Sequence, residues 1–356
     1  MLRLGLRETY LRTLYGRWPD APQPPQPGYT LLMPVPPDLP VFFKLAVDVC
    51  ARQDLSRLHE TLVIPDRFDP SFRPVFEQVS GRWPQGRMRL LEPGPVDRLT
   101  RRVIGLEGGR IHWLQIVLAV NATRTTHALL HDVDLFLLDR DFLRTQYEEC
   151  VERGLGCMGL QTRWPHPGLD HLMGPWEIVF DLGWMRGHSP FKMCPQNYDF
   201  PATAQGTGVR RLWADSTMLG QFLTAPQRLG IRTGARRFIH FESVLWNYRR
   251  LQAATAPFED AKLSILLIRL LIDAYDPDAN DTYGSVPSIE QLTRGTTDPA
   301  SRVTYCAAPT RANYSTFRQR MEQLICSPII EPDKAHRLRA GLAPFDEVFE
   351  WQPVMT

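Results

Sequence analysis

Between residues 29 and 136, apolar runs of strand length alternate with stretches of helix length, and that alternation constrains the fold more than any other feature of the chain. Residues 29–35 (Tyr-Thr-Leu-Leu-Met-Pro-Val) form a buried-strand candidate, and Asp38, after Pro36-Pro37, is placed to cap a helix over 38–52. Residues 58–64 make a second strand, closed by Pro65-Asp66. Strand, helix, strand at this spacing predicts a parallel pair with a right-handed crossover. Residues 68–85 are helix or loop, 88–91 a third short strand, and 111–123 an apolar helix opened by Gly108-Gly109. The expected fold class is therefore α/β, with a mostly parallel, Rossmann-like central sheet flanked by helices.

The last apolar run, residues 127–136, reads as a short buried strand in which Ala128, Leu129 and Leu130 lead into two carboxylates, Asp132 and Asp134. If the strand stays extended, the two acids share a face. Two acids ending a core strand suit a hard divalent cation, Mn²⁺ or Mg²⁺, which shares its shell between one or two carboxylates, water and a substrate's phosphates. An isolated Asp-X-Asp is weak, since it occurs by chance roughly once in a chain of this length and is commonly a solvated turn. Open α/β sheets bind ligands at the carboxyl ends of their strands, and Pro34, Val35, Asp66, Asp132 and Asp134 all fall there.

With 43% hydrophobic residues the chain can fill a real core. Its 41 basic and 39 acidic residues leave a net charge of +2 without a basic block, which argues against nucleic acid or an anionic membrane as partner. The six cysteines are scattered, with no Cys-x-x-Cys, as expected of reduced thiols. No signal-peptide core and no transmembrane segment is legible, so a cytoplasmic protein is expected.

Residues 1–28 comprise a short helix and a Pro-rich linker. After residue 141 a helix runs to about 153, followed by strands at 156–161 and 177–183. Residues 186–211 lack a period and suit a binding loop or a disordered stretch. Residues 215–223 are helical, 230–241 strand-like, 258–275 an apolar helix that is either core or the face of a homodimer, and 317–326 another helix. The tail from residue 328 is polar and weakly patterned.

This order of signals resembles the inverting, family 2-like glycosyltransferases of the glycosyltransferase A fold. Four stretches carry the likeness: Thr30-Leu31-Leu32-Met33-Pro34-Val35, Leu62-Val63-Ile64-Pro65-Asp66, the segment 109–134 with Asn121 and the acid pair, and Ala214-Asp215-Ser216-Thr217-Met218-Leu219 followed by Gly230-Ile231-Arg232 and His240. Departures are Ala214 where an acid is common, Gln221 where Arg is frequent, and Arg67-Phe68-Asp69-Pro70 after Asp66. The resemblance implies a catalytic domain over 29–250 and a C-terminal helical extension over 251–356. It also implies a nucleoside-diphosphate sugar donor; with no membrane span legible, a soluble metabolite, glycan or protein is the expected acceptor.

By resemblance, Asp134 binds the metal directly, and Asp132 does so through water or holds the ribose. Asp66 contacts the nucleotide. His240 completes the metal shell or is a hydrogen-bonded core histidine. Asp215 is the candidate general base, needed because a neutral alcohol is a poor nucleophile; as Asp-Ser-Thr it also suits a helix N-cap, and Asp181 and Glu177 are alternative bases. Arg110, Arg236 and Arg237 suit phosphate oxygens or a solvated face. His127 with His131, and His166 with His171, lack the thiolates or the helical spacing of zinc sites. Trp164, Trp176, Trp184 and Trp213 suit sugar faces or the core. A nucleotidyltransferase of similar fold would need a Gly-rich loop with Lys where Pro34-Val35-Pro36-Pro37 stands, and a non-catalytic nucleotide- or sugar-binding protein remains the alternative of another class.

Overall fold

The computed structural model describes residues 2–20, 24–84, 87–105, 108–161, 173–194, 226–232, 237–305 and 307–352. Among these the strands are, in chain order, β1 (Gln26–Val35), β2 (Leu58–Pro65), β3 (Arg87–Leu90), β4 (Thr125–His131), β5 (Leu135–Leu137), β6 (Cys157–Gln161), β7 (Met173–Asp181), β8 (Leu229–Arg232), β9 (Phe238–His240), β10 (Phe258–Glu259) and β11 (Val303–Thr304). The chain divides into two compact units that interleave along the sequence. One comprises residues 1–38, 53–133 and 141–234, the other 39–52, 134–140 and 235–356.

The first unit is built on a seven-stranded sheet of order β3-β2-β1-β4-β7-β6-β8. β7 is antiparallel to both its neighbours and every other pairing is parallel, so this is a mixed but mostly parallel α/β sheet. The central strands carry no polar alternation because both faces are covered: Leu31, Leu32, Met33, Leu62, Val63, Leu129 and Leu130 are all fully buried. Pro34 is tolerated in β1 because the pairing with β4 ends at Leu32↔Leu130, so no ladder bond is lost on that side. At the other end of the strand, Gly28 takes φ +112 and lies so near the Arg57 carbonyl that a Cβ would sit 2.7 Å from it. The Gly108–Ala122 helix supplies Trp113, Ile116, Val117 and Val120 to the sheet's core cluster. The Leu2–Tyr15 helix belongs to the same core through Leu11 and Tyr15, the latter edge-on to Trp113 at 5.1 Å and hydrogen-bonded to Thr100 at 3.0 Å.

The second unit is mainly helical. The Ser264–Tyr275 helix buries every residue from Ser264 to Ile272, Arg269 included. The apolar run read as 258–275 thus begins as the two-residue strand β10, and its helical part is core. Asp276, just past this helix, holds Lys44 of the Pro40–Cys50 helix at 2.5 Å and the Tyr283 hydroxyl at 2.6 Å. The tail expected to be weakly patterned is instead a helix, Pro332–Val348, with Ala335, Leu338, Leu342 and Phe345 forming a buried stripe.

Three local expectations are corrected. The Pro40–Cys50 helix is capped by Leu39, while Asp38 lies 3.2 Å from Arg67. Residues 230–241 form two strands in different sheets, since β8 pairs with β6 and β9 with β5. Residues 127–136 are not one strand: β4 ends at His131, Val133 and Asp134 lie in a turn, and β5 follows.

Candidate functional site

In the first unit, β4 pairs with β7 down to the register His131↔Glu177. Both of these side chains are wholly buried, and the His131 ring donates from Nδ1 to Glu177 Oε2 at 2.5 Å. Burial pushes the Glu177 carboxyl up, and His131 holds it down. One residue on, the Asp132 backbone N–H donates to the Trp176 carbonyl at 2.8 Å, extending the ladder past the end of the strand. The Asp132 side chain keeps 22% of its surface exposed, with Oδ1 3.4 Å from Nε2 of His112. His112 lies on the Gly108–Ala122 helix that leads into β4. Reading the sequence missed it, though a histidine between Ile111 and Trp113 in an otherwise apolar helix was the available signal.

In the second unit, Asp134 stands before β5, which pairs antiparallel with β9 in the register Leu135↔His240. Asp134 Oδ1 lies 3.4 Å from His240 Nε2, with the carboxylate side chain 23% exposed and the imidazole 7%. The Phe241 N–H donates to the Asp134 carbonyl at 3.3 Å. Phe136 and Phe241 lock the ladder edge to face at 5.4 Å. Arg237 is held by Asp139 in the same unit.

The remaining predicted residues fall as follows. Pro34 and Val35 end β1 with buried side chains, and the Val35 carbonyl accepts the Asp66 N–H at 2.9 Å. Asp66, itself buried, has Arg67 at 3.6 Å, and the same guanidinium reaches Asp38. Burial depresses the Arg67 pKa, but Asp38 and Asp66 outweigh it and the net shift is upward. Arg110 donates to the carbonyl of Ile104 at 3.1 Å, the last residue of the Pro95–Ile104 helix. Glu177 is too enclosed to meet an acceptor, and Asp181 caps the Leu182–Met185 helix by accepting from the Trp184 N–H at 3.1 Å. His127 pairs with Thr126 and stacks edge-on to Tyr147, and burial lowers its pKa. Trp176 is buried. Asp215, Arg236, His166, His171, Trp164 and Trp213 lie outside the described residues.

Among the described residues no group of three or more His, Cys, Asp or Glu side chains is gathered closely enough to cage a metal. Each unit presents one partly exposed carboxylate with an imidazole nitrogen 3.4 Å away, oxygen donors of the kind a hard cation takes, and neither pair has the four-ligand set of a closed structural zinc site. No helix among the described residues is long and apolar enough to cross a membrane.

No family model and no curated protein matches the sequence. Among solved structures, similarity is found to the mannosyltransferase PcManGT from Pyrobaculum calidifontis in complex with GDP-Man and Mn²⁺, with a TM-score of 0.42 and 14% identity over 98% of this chain and 95% of that one. The galactosyltransferase LgtC in complex with donor and acceptor sugar analogs gives 0.39 and 11%, over 86% of this chain and 99% of that one. The 4-diphosphocytidyl-2C-methyl-D-erythritol synthase from Anaerococcus prevotii gives 0.38 and 10%, over 64% and 99% respectively.

Proposed function

We propose that this chain is a metal-dependent glycosyltransferase of the glycosyltransferase A fold, moving a sugar from a nucleoside diphosphate to an acceptor hydroxyl with inversion. The observation that carries the reading is Asp132 at the carboxyl end of the central parallel strand β4, partly exposed and 3.4 Å from His112, with Asp134 two residues further along the chain, partly exposed and 3.4 Å from His240. Two residues apart, Asp132 and Asp134 have Cα atoms within about 7 Å whatever the turn. β1, β2 and β4 are mutually parallel, so Val35, Asp66 and Asp132 follow the same ends of neighbouring strands, where such sheets take ligands.

Asp134 and Asp132 would hold Mn²⁺ or Mg²⁺, with His240 completing the shell, and the ion supplies positive charge against the leaving diphosphate. The protein's own part is to present these groups without reorganisation. The buried His131–Glu177 pair and the Asp132–Trp176 backbone bond fix where β4 stops. The β5–β9 ladder sets Asp134 against His240. Asp66 and the backbone of Pro34 and Val35 are the proposed nucleotide contacts, and Arg110 is a further phosphate candidate. Asp215 is assigned as the base that takes the acceptor's proton while its oxygen attacks the anomeric carbon from the face opposite the leaving group.

A thermal-shift panel of nucleoside diphosphates with and without Mn²⁺ tests the reading, because a ligand that binds the native state raises its apparent stability. One base should give a Mn²⁺-dependent shift that Asp134→Asn removes. Asp215→Asn should keep that shift and lose transfer. A panel with no Mn²⁺-dependent shift for any base sinks the assignment.

A further inference from the structure

Immediately after His240, the second unit opens a pocket of about 390 Å³ that none of the roles above uses. Its first wall is Phe241, whose N–H holds the Asp134 carbonyl and whose ring meets Phe136 at 5.4 Å and Phe317 at 5.8 Å. The pocket therefore begins at the residue that follows β9, next in the chain to the candidate metal residue His240. Its lining combines two largely buried aromatic rings, Phe241 and Phe317, with Glu242, Lys262, Asn313 and Arg320.

The charges do not cancel. Lys262 is 55% exposed and only 4.0 Å from Glu242, with a 3.3 Å hydrogen bond to the Ser243 hydroxyl. Arg320 makes no ion pair among the described residues. Asn313 is anchored through its amide N–H to the Ala261 carbonyl at 2.8 Å, which leaves its side-chain oxygen to accept. Two cations against one acid favour an anionic ligand, and the guanidinium is suited to bidentate capture of phosphate or carboxylate. An apolar floor beside hydrogen-bonding groups suits a ligand with both C–H and hydroxyl surfaces, as a sugar has.

We infer that this pocket is the acceptor site, and that the acceptor is a sugar carrying an anionic group, phosphate or carboxylate, which Arg320 and Lys262 hold. This rests on the transfer reading above. The test is calorimetric titration of the full chain, without donor, with glucose 6-phosphate, glucuronate, glucose and inorganic phosphate. It is run on the wild type, Arg320→Ala and Lys262→Ala, alongside nucleoside diphosphate with Mn²⁺ on all three.

The expected result is binding of one anionic sugar well ahead of both glucose and inorganic phosphate, weakened about tenfold or more in each variant, with nucleotide binding unchanged. The better of the two anionic sugars identifies phosphate or carboxylate as the recognised group. The inference is overturned if neither anionic sugar binds below about 10 mM, if inorganic phosphate binds as well as the sugar, or if both variants bind as the wild type does. Should the anionic sugar bind and respond to the variants while no nucleotide binds with Mn²⁺, the transfer reading and the acceptor role fail together, and the anion site stands alone.

Discussion

The two acids of the Asp132-Val133-Asp134 turn stand in contrasting surroundings. Asp132 follows the fourth of seven hydrogen-bonded strands and is backed by a wholly buried His131–Glu177 pair. Asp134 introduces a two-stranded ladder of three residues a side, in a unit made mostly of helices. Each acid nonetheless has a histidine nitrogen at 3.4 Å, His112 for one and His240 for the other. Geometry at the carboxylate is matched although the supports are not, so the supports and the carboxylates can be perturbed separately.

The largest effect should come from the support of Asp132. Removing one partner of a buried hydrogen-bonded pair leaves the other's polar atoms without compensation, which costs about 1–3 kcal/mol, and more where the group left behind carries charge. Glu177→Ala and His131→Ala should each lower the stability measured by urea unfolding by that amount, and Glu177→Gln, which keeps an acceptor, by less. If Glu177→Ala lost under about 1 kcal/mol by the same scale, the sheet alone would be fixing the strand end.

Next come the carboxylates themselves. Removing a group that meets charge developing in the transition state typically costs about 10²–10³ in turnover. Asp134→Asn should fall at the upper end of that range. Asp132→Asn, acting through water or the ribose, should lose roughly ten- to a hundredfold, as outer-shell partners do. Steady-state rates with a donor sugar at saturating Mn²⁺ check this. Equal losses would break the asymmetry, and a larger loss at Asp132 would reverse it.

The unit that carries Asp134 has a buried acid of its own with a different kind of partner. Asp260 is 1% exposed and accepts the Ile265 N–H at 2.7 Å at the start of the Ser264–Tyr275 helix. Burial pushes its carboxyl up to about 6, against the backbone hydrogen bonds that lower it. Because the folded pKa lies above the unfolded one, the protonated form favours folding. Its contribution is full below about pH 4 and fades as the pH rises through about 6. Between pH 4 and 7 the wild type should therefore lose roughly 3 kcal/mol relative to Asp260→Asn, at 1.36 kcal/mol per pKa unit. Parallel pH series of chemical unfolding would show it, and a pH-independent difference between the two proteins would refute it.

The contrast also marks what could be read in advance. β1, β2 and β4 are legible because strands covered on both faces need unbroken apolar runs, and Leu31, Leu62 and Leu129 stand in such runs. The end of β4 is not legible in that way. Whether Asp132 to Phe136 continues a strand depends on a partner more than a hundred residues away, and Leu135 pairs with His240 rather than with β1. The Pro95–Ile104 helix is hidden for another reason. Its ten residues are amphipathic at helical spacing and Asp97 caps them by accepting the Gly94 N–H at 2.8 Å, but only Thr100 and Ile104 are buried, so no apolar run marks it. In the Pro332–Val348 helix the buried stripe is diluted by charge and by Pro344.

The smallest expected effect is the one that separates the two histidines. By resemblance His240 is a metal candidate, whereas His112 emerges from the structure alone. If both merely orient a carboxylate, removing either should weaken Mn²⁺ by a similar factor, at the low end of the ten- to hundredfold seen for such partners. If His240 is itself a ligand, its loss removes a donor from the shell, and one lost coordinating group should exceed one lost orienting contact by about tenfold, or 1.4 kcal/mol. Titrating Mn²⁺ into the nucleotide complexes of His112→Ala and His240→Ala measures that ratio directly. The conservative variants sharpen it, because glutamine at either position can still donate to the neighbouring carboxylate but is a poorer metal donor than imidazole. Rescue in His112→Gln without rescue in His240→Gln is the expected pattern. Rescue at both positions would make the two histidines equivalent braces of their carboxylates.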